Sequence, residues 1–325
     1  MANYLVTGAA GMIGARTAEL LLAEGHHVVG LDNMNDAYDI RMKQHRLRSL
    51  QAQPTFSFVE ASVADPATLR MPVLRDHRFD AVFNLAARAG VRSSVEYPWM
   101  YVETNITGTL NMLDLCREHG ISKFVLASTS SLYGAANPCP YTEDQDTSRP
   151  LSPYAASKGG AEALAHTYHA LHGIDVSVLR YFTVYGPAGR PDMGVFRFVQ
   201  RIREGFPIIV YGDGTMSRDF TFVDDIARGT IAAARPLGFE VINLGGDQPY
   251  QVNELIRTIE QALGRKAIIE HEPAHPADVP ATWASIDKAA ALLDWSPQIS
   301  LEDGIARCVA WYEAERSWAH RIEAY

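Results

Sequence analysis

Thr7-Gly8-Ala9-Ala10-Gly11-Met12-Ile13-Gly14 stands between a short apolar run, Tyr4–Thr7, and an amphipathic stretch, Ile13–Ala23. Three glycines so spaced, where a strand hands over to a helix, leave few folds open. Gly8 permits the tight turn, Gly11 lets the backbone approach a pyrophosphate, and Gly14 allows close packing of helix on strand. The helix N-terminus adds unpaired N–H donors and partial positive charge. A GxxGxxG run alone arises often by chance. Here the next apolar run, His27–Leu31, leads into Asp32, 18 residues after Gly14, the place for a carboxylate that accepts hydrogen bonds from a ribose. A carboxylate there repels a 2′-phosphate. The two features together predict NAD rather than NADP, bound by Gly8, Gly11, Met12, Ile13, Gly14, Asp32 and the adjacent Asn33.

The same alternation continues for about 180 residues. Short apolar runs recur at Thr55–Glu60, Ala81–Leu85, Lys123–Ser128 and Val176–Tyr181, and helical patterns at Val102–Glu118 and Tyr154–Leu171 lie among them. Most of the runs lack polar alternation, as strands buried on both faces do. Strands alternating with helices predict right-handed crossovers and an α/β, doubly wound parallel sheet. After Gly186 proline and glycine become frequent, and shorter elements follow at Ile208–Tyr211, Asp224–Ala234 and Asn253–Leu263. The expected division is a dinucleotide-binding domain over 1–185 and a smaller α/β substrate-binding region over 186–325, with the chain crossing between them.

A formal charge of −9 argues against general nucleic-acid affinity, which needs clustered Lys and Arg. Three scattered cysteines, Cys116, Cys139 and Cys308, predict neither a disulfide framework nor a zinc or other metal site, and fit a reducing compartment. No apolar run reaches membrane-spanning length, and the first strand starts too early for a signal peptide. The expectation is a cytoplasmic protein.

Tyr154-Ala-Ala-Ser-Lys158 places a phenol and an ammonium four residues apart on one helix face. Ser152 suits the N-cap and Pro153 the first helical position, so Tyr154 falls in the first turn. The ammonium and the helix-end charge both favour a phenolate, which would serve as general base near neutral pH. The run Lys123–Ser128 ends in Ser128-Thr129-Ser130-Ser131, hydroxyls at the carboxyl end of a parallel strand, where such sheets bind ligands.

With these pieces the sequence resembles the extended short-chain dehydrogenase/reductases that modify nucleotide sugars. The likeness runs through Gly8–Gly14, Asp32, Asn84-Leu-Ala-Ala87, Thr104-Asn105 with Gly108, Ser128–Gly134, Tyr154–Lys158, Arg180–Gly186, Arg218-Asp219-Phe220 and Val223-Asp224-Asp225. It implies a catalytic triad of Thr129, Tyr154 and Lys158, with Lys158 also holding the nicotinamide ribose. It adds Leu85, Ala86, Ala87, Asn105 and Tyr181 to the cofactor set. One departure stands out: Ser62-Val63 occupies the place where the family usually has an acidic residue near the adenine.

Local differences within the family narrow the reaction. The Asp–Glu pair that serves elimination in 4,6-dehydratases is Ser130-Ser131 here, and the glutamate usual in UDP-glucuronate decarboxylases is absent at Ser131. Redox chemistry at C4 without further proton transfer implies epimerisation. Thr183 and Arg190-Pro-Asp-Met193 look like the pattern of UDP-glucuronate 4-epimerases, as does Ala89-Gly-Val-Arg92. An arginine suits an anionic sugar because its planar fork pairs with carboxylate or phosphate. The resemblance places Arg92, Ser130, Ser131, Thr183, Arg190, Met193, Val195, Tyr211, Arg218 and Asp278 on the substrate, with Arg218 at the diphosphate and Asp278 on the uridine side. The expected activity is conversion of UDP-glucuronate to UDP-galacturonate through a 4-keto sugar, in a homodimer joined by the helices at Val102–Glu118 and Tyr154–Leu171. Three other readings stay open: UDP-glucuronate decarboxylase, UDP-glucose 4-epimerase, and a non-catalytic NAD-binding regulator on the same fold.

Overall fold

The computed structural model describes residues 1–273 and 279–324. In chain order the first part runs β1 (Asn3–Thr7), α1 (Met12–Ala23), β2 (His27–Asp32), α2 (Ile40–Gln51), β3 (Phe56–Glu60), α3 (Pro72–Arg75), β4 (Ala81–Asn84), α4 (Val91–Glu96), α5 (Pro98–Tyr101), α6 (Gly108–His119), β5 (Lys123–Thr129), α7 (Pro153–His172) and β6 (Asp175–Tyr181). Then follow β7 (Thr183–Tyr185), α8 (Gly194–Glu204), β8 (Ile208–Tyr211), β9 (Ser217–Phe222), α9 (Val223–Ala232), β10 (Phe239–Leu244), β11 (Pro249–Gln251), α10 (Val252–Leu263), β12 (Ile269–Glu272), α11 (Asp287–Leu293) and α12 (Leu301–Ala319).

The main sheet has seven strands in the order β10-β6-β5-β4-β1-β2-β3, and every neighbouring pair is parallel. Strand order reverses between β1 and β4, so the crevice beyond their carboxyl ends is the natural ligand site. Both faces are covered. Along β1, Leu5 joins one apolar cluster and Val6 the other, and all seven residues of β5 are buried. Each large apolar side chain so buried contributes about 1.5–3 kcal/mol, which is why these strands read as unbroken apolar runs.

Two elements differ from the sequence expectation. Val102–Glu118 is not one α-helix: a π-helical stretch spans Val102–Thr107 before α6 begins at Gly108. The wider turn lets buried Asn105 face inward, a use to which such stretches are often put. Gly108 then passes so close to Val63 that a Cβ would sit 2.6 Å from its Cγ2. The seventh strand, β10, also went unread. It crosses back from beyond Gly186 to pair with β6, Phe239 opposite Val176 and Leu244 opposite Tyr181.

The later region attaches through specific contacts. Arg16 of α1 forks onto Asp224 of α9 at 2.7 and 3.1 Å. The small sheet β11-β9-β7 begins where β6 ends and carries Thr183 and Arg218. Asp219, fully buried on β9, accepts from Gly246 N, from Ala284 N at 3.1 Å and from Thr221 Oγ1 at 3.1 Å. It thereby ties β9 to two neighbouring segments, and burial pushes its carboxyl up to about 6. Among the described residues no helix is long and apolar enough to cross a membrane.

Candidate active site

The glycine loop has the geometry a pyrophosphate requires. Gly8 sits at φ +70°, and a Cβ there would meet Ala86 N at 2.8 Å; at Gly14 it would meet Gly8 O at 2.1 Å. Gly11 is the N-cap of α1 and supplies no side-chain cap, which leaves the first-turn donors at Met12 and Ile13 for an anion. The loop therefore fits a dinucleotide by shape as well as by sequence. Opposite it, Thr7 Oγ1 accepts from Ala86 N at 3.1 Å and donates to Asn84 Oδ1 at 2.8 Å, fixing the turn that carries Leu85, Ala86 and Ala87.

Asp32 is buried at the end of β2 and accepts from Ala10 N at 3.2 Å and Met34 N at 2.9 Å. It also pairs with Lys43 Nζ at 3.1 Å, a buried partner from α2 that sequence reasoning missed. The negative charge set against a 2′-phosphate is thus shared with Lys43. Asn33, exposed just beyond, accepts from Asn35. Arg46, a second missed residue of α2, donates to Ala10 O and to Ala188 O, both at 3.0 Å, and so joins the glycine loop to the segment before Arg190. Ser62-Val63 lies against α6, where Asn111 Nδ2 donates to Val63 O at 2.8 Å.

Asn105 organises the middle of the crevice. Its amide accepts from Arg88 N at 2.9 Å and donates to Arg88 O at 3.0 Å and Ser157 Oγ at 2.9 Å. This couples the turn after β4 to α7 beside Lys158. Tyr181 has its ring in the core and its hydroxyl held by Thr230 Oγ1 at 2.8 Å, so a contact of this residue with a cofactor would fall to its ring edge or backbone.

Thr129 and Tyr154 come together, and Lys158 lies one turn further along the same helix. Ser152 Oγ caps α7 by accepting from Ala155 N at 3.2 Å, and Pro153 opens the helix, so Tyr154 projects from its first turn. The Thr129 hydroxyl lies against the Tyr154 phenol, and Tyr101 meets the ring edge-on at 6.1 Å. Burial raises the phenol above its ordinary value, while Thr129 and the positive Arg190 pull it back. The phenol therefore stands above its ordinary value and not below it, which corrects the expectation of a phenolate near neutral pH from the protein's own charges, and Arg190 is a cation acting on it. Lys158, buried, donates to Ala127 O at 2.8 Å, and desolvation lowers its ammonium to about 8 against the opposing pull of Glu162. Helical spacing gave the shared face of Tyr154 and Lys158 but not the direction of the long side chain.

Behind the triad stands a buried ion pair. Arg180 forks onto Glu162 at 3.1 and 2.8 Å, Glu162 also accepts from Ser128 Oγ, and Arg180 reaches Tyr133 OH at 3.1 Å. The carboxyl end of β5 is thereby fixed to α7. Ser130 and Ser131 follow Thr129 in a single tight turn, where Ser131 N donates to Thr129 Oγ1 at 3.2 Å.

On the other side a small cavity is lined by Met12, Thr183, Gly189, Arg190, Met193 and Val195. It places the start of α1 next to four residues expected at the sugar. Arg190 pairs with Asp192 at 3.1 and 2.5 Å and donates to Ala89 O at 3.2 Å. Arg92 of α4 lies over the Tyr211 ring, 4.0 Å from its centroid. Arg218 on β9 donates to Ser217 O at 2.8 Å and acts on the buried Tyr141. Asp278 lies outside the described residues. Among them no cluster of His, Cys, Asp and Glu could hold a metal ion, and the three cysteines are free thiols.

Known proteins share this arrangement. Residues 4–245 match the model of the NAD dependent epimerase/dehydratase family. Over 312 residues, 96% of each chain, the sequence is 54% identical to the UDP-glucuronate 4-epimerase of Thermodesulfobacterium geofontis. Among solved structures it is similar to the UDP-glucuronic acid 4-epimerase from Bacillus cereus in complex with UDP-glucuronic acid and NAD, at 37% identity and a TM-score of 0.90 over 96% of this chain and 99% of that one. It is also similar to the UDP-glucose 4-epimerase of Thermotoga maritima with UDP-glucose, at 31% identity and a TM-score of 0.89 over 97% and 99%. A parallel sheet reversing at the glycine loop, a Thr–Tyr–Lys group at its carboxyl edge and a match over most of the chain lead to one conclusion: this chain belongs to the NAD dependent epimerase/dehydratase family.

Proposed function

We propose that the chain is an NAD-dependent isomerase that interconverts UDP-glucuronate and UDP-galacturonate by inverting C4 of the sugar. The observation that carries this reading is the pairing of the Thr129–Tyr154–Lys158 group with a cavity walled by Thr183 and Arg190, in a chain 54% identical to a UDP-glucuronate 4-epimerase. Residues 1–185 hold the cofactor through Gly8, Gly11, Gly14, Asp32 and Asn105, and residues 186–325 supply most of the nucleotide-sugar contacts.

Tyr154, whose phenol burial raises in the cofactor-free site, would act as phenolate once the positive charge of bound NAD adds to that of Arg190. It would then take the C4 hydroxyl proton directly or through Thr129, whose hydroxyl lies against the phenol. NAD, when bound, accepts a hydride from C4 and later returns it. The 4-keto sugar turns about its bond to the diphosphate and offers its other face, and Tyr154 gives the proton back. Lys158 holds the nicotinamide ribose. A 4-keto uronic acid is a β-keto acid and loses CO₂ when the breaking bond aligns with the ketone π system. Thr183 and Arg190 keep the carboxylate out of that alignment, so positioning decides the product. The absence of carboxylates at Ser130 and Ser131 supports epimerisation over elimination or decarboxylation.

Purified protein incubated with UDP-glucuronate and no added cofactor should give the proton NMR signals of UDP-galacturonate. Release of CO₂ and a UDP-pentose alone would replace this reading with the decarboxylase. The protein is read as a cytoplasmic homodimer, joined through the π-helical stretch, α6 and α7, with Leu171 exposed at the end of α7. Light scattering should give twice the 35.8 kDa chain mass, and a monomer would remove this assignment.

A further inference from the structure

The turn after β4 is held at two points by one stretch of chain. Asn105 binds its Arg88 end, and Tyr101, at the end of α5, reaches its Ala89 end. The Tyr101 side chain is buried, and a buried phenol needs a partner for its hydroxyl. It has two. Tyr101 OH donates to Ala89 O at 3.4 Å, which leaves Ser93 Oγ, 2.7 Å away, as the donor of the shorter bond. Gly90 follows at φ +129°, and a Cβ there would stand 2.7 Å from Ser93 Oγ and 3.3 Å from Tyr101 OH. Both the backbone and the crowding therefore call for glycine.

A carbonyl oxygen has two lone pairs, and the second at Ala89 O is taken by Arg190 Nη2 at 3.2 Å. One carbonyl thus joins Tyr101 to Arg190. The other partner of Arg190, Asp192, is two residues along the same loop and cannot tie that loop to another segment. The bond to Ala89 O can. On its other side Tyr101 meets the Tyr154 ring edge-on, with centroids 6.1 Å apart and planes at 70°.

We propose that Tyr101 is a positioning residue for the reaction: through the Ala89 carbonyl and its own ring it fixes Arg190 and Tyr154 relative to each other. The inference rests on the reading of the substrate as a UDP-uronate, because Arg190 walls the cavity assigned to the sugar. Two groups that must meet one sugar come from distant elements, the loop after β7 and the first turn of α7. Tyr101 touches the second directly and the first through one shared acceptor. Its hydroxyl and its ring have separate tasks, so they can be removed separately. Small misplacements of reacting groups are costly, which gives such a residue leverage without contact with the substrate.

The test is steady-state kinetics on UDP-glucuronate, with UDP as competitive inhibitor, for the NAD-bound wild type, Tyr101→Phe, Tyr101→Leu, Arg190→Gln and the double variant Tyr101→Phe/Arg190→Gln. Tyr101→Phe keeps the ring and loses the hydroxyl. It should raise KM roughly twofold to tenfold, the worth of one neutral hydrogen bond, and leave inhibition by UDP, which has no sugar, unchanged. In the Arg190→Gln background the same change should add almost nothing, because its effect runs through Arg190. Tyr101→Leu also removes the ring edge and should lower kcat roughly tenfold or more below that of Tyr101→Phe. Ser93→Ala, which leaves the phenol in place, should raise KM in the same direction by less. A wild-type KM in Tyr101→Phe would overturn the proposal, as would equal kcat in Tyr101→Phe and Tyr101→Leu. So would an equal rise in KM with and without Arg190, accompanied by weaker inhibition by UDP, which would make Tyr101 a structural residue. If the wild type does not turn over UDP-glucuronate, the substrate reading itself fails and takes the inference with it.

Discussion

Lys158 should weaken the fold it serves. Its ammonium is buried in α7, with Ala127 O as its hydrogen-bond partner at 2.8 Å, and desolvation brings it from an ordinary 10.5 to about 8. A depression of that size corresponds to about 3 kcal/mol of disfavour for the charged form in the native state. The unfolded chain keeps its proton to about pH 10.5. Between the two values the native protein binds fewer protons than the unfolded one, so stability rises with pH. From pH 7 to pH 9.5 the gain attributable to this lysine is about 2 kcal/mol, and below pH 7 it vanishes. The perturbation is Lys158→Met, which removes the charge and keeps most of the apolar stem. The assay is urea unfolding of cofactor-stripped wild type and variant at pH 7 and pH 9.5. At pH 7 the variant should be the more stable despite losing its bond to Ala127 O, and the advantage should shrink by about 2 kcal/mol at pH 9.5. Taking the difference between the proteins cancels the other titrating groups. A variant less stable than wild type by a constant amount at both pH values would refute the reasoning.

Three further outcomes follow from the geometry. Gly14→Ala would drive a Cβ to 2.1 Å from Gly8 O, so α1 must leave the glycine loop, at about 1–3 kcal/mol and with loss of bound NAD on release and quantitation; full NAD content would contradict the close packing. Glu162→Gln leaves the buried Arg180 without its counter-charge and should cost about 3–5 kcal/mol in urea, much of it recovered when Arg180→Met is added, whereas a cost below 1 kcal/mol would mean the pair is not essential. Arg190→Gln removes a positive charge acting on Tyr154, so the acid limb of the kcat profile should move to higher pH; an unmoved limb would show that Arg190 does not set this phenol.

The doubly wound sheet was legible because its strands are buried on both faces, and Lys123–Thr129 reads as an apolar run for the same reason that all seven residues are covered. β10 escaped notice because it is an edge strand whose first half, Phe239 to Val241, is only partly buried and therefore mixed in composition. Glycine spacing foretold the loop, since Gly8 and Gly14 answer to local backbone geometry. Lys43 did not announce itself: its pairing with Asp32 depends on where α2 docks, which no local pattern records. The same limit applies to Tyr181, whose hydroxyl is taken by a threonine nearly fifty residues away in α9. The sequence marked Arg190 as a candidate for an anionic sugar, but its action on Tyr154 depends on where the loop after β7 lies, which no local pattern records. Local chemistry is written in the sequence; partners brought by distant elements are not.

Inversion through a 4-keto sugar requires that hydrogen leave C4 as hydride and return to the same carbon. UDP-glucuronate carrying deuterium at C4 should be incubated with the enzyme in ordinary water, and the product examined by NMR and mass spectrometry. The expected product is UDP-galacturonate with the deuterium retained at C4. UDP-galacturonate in which solvent hydrogen has replaced the deuterium would contradict it, because inversion would then proceed by proton removal from carbon.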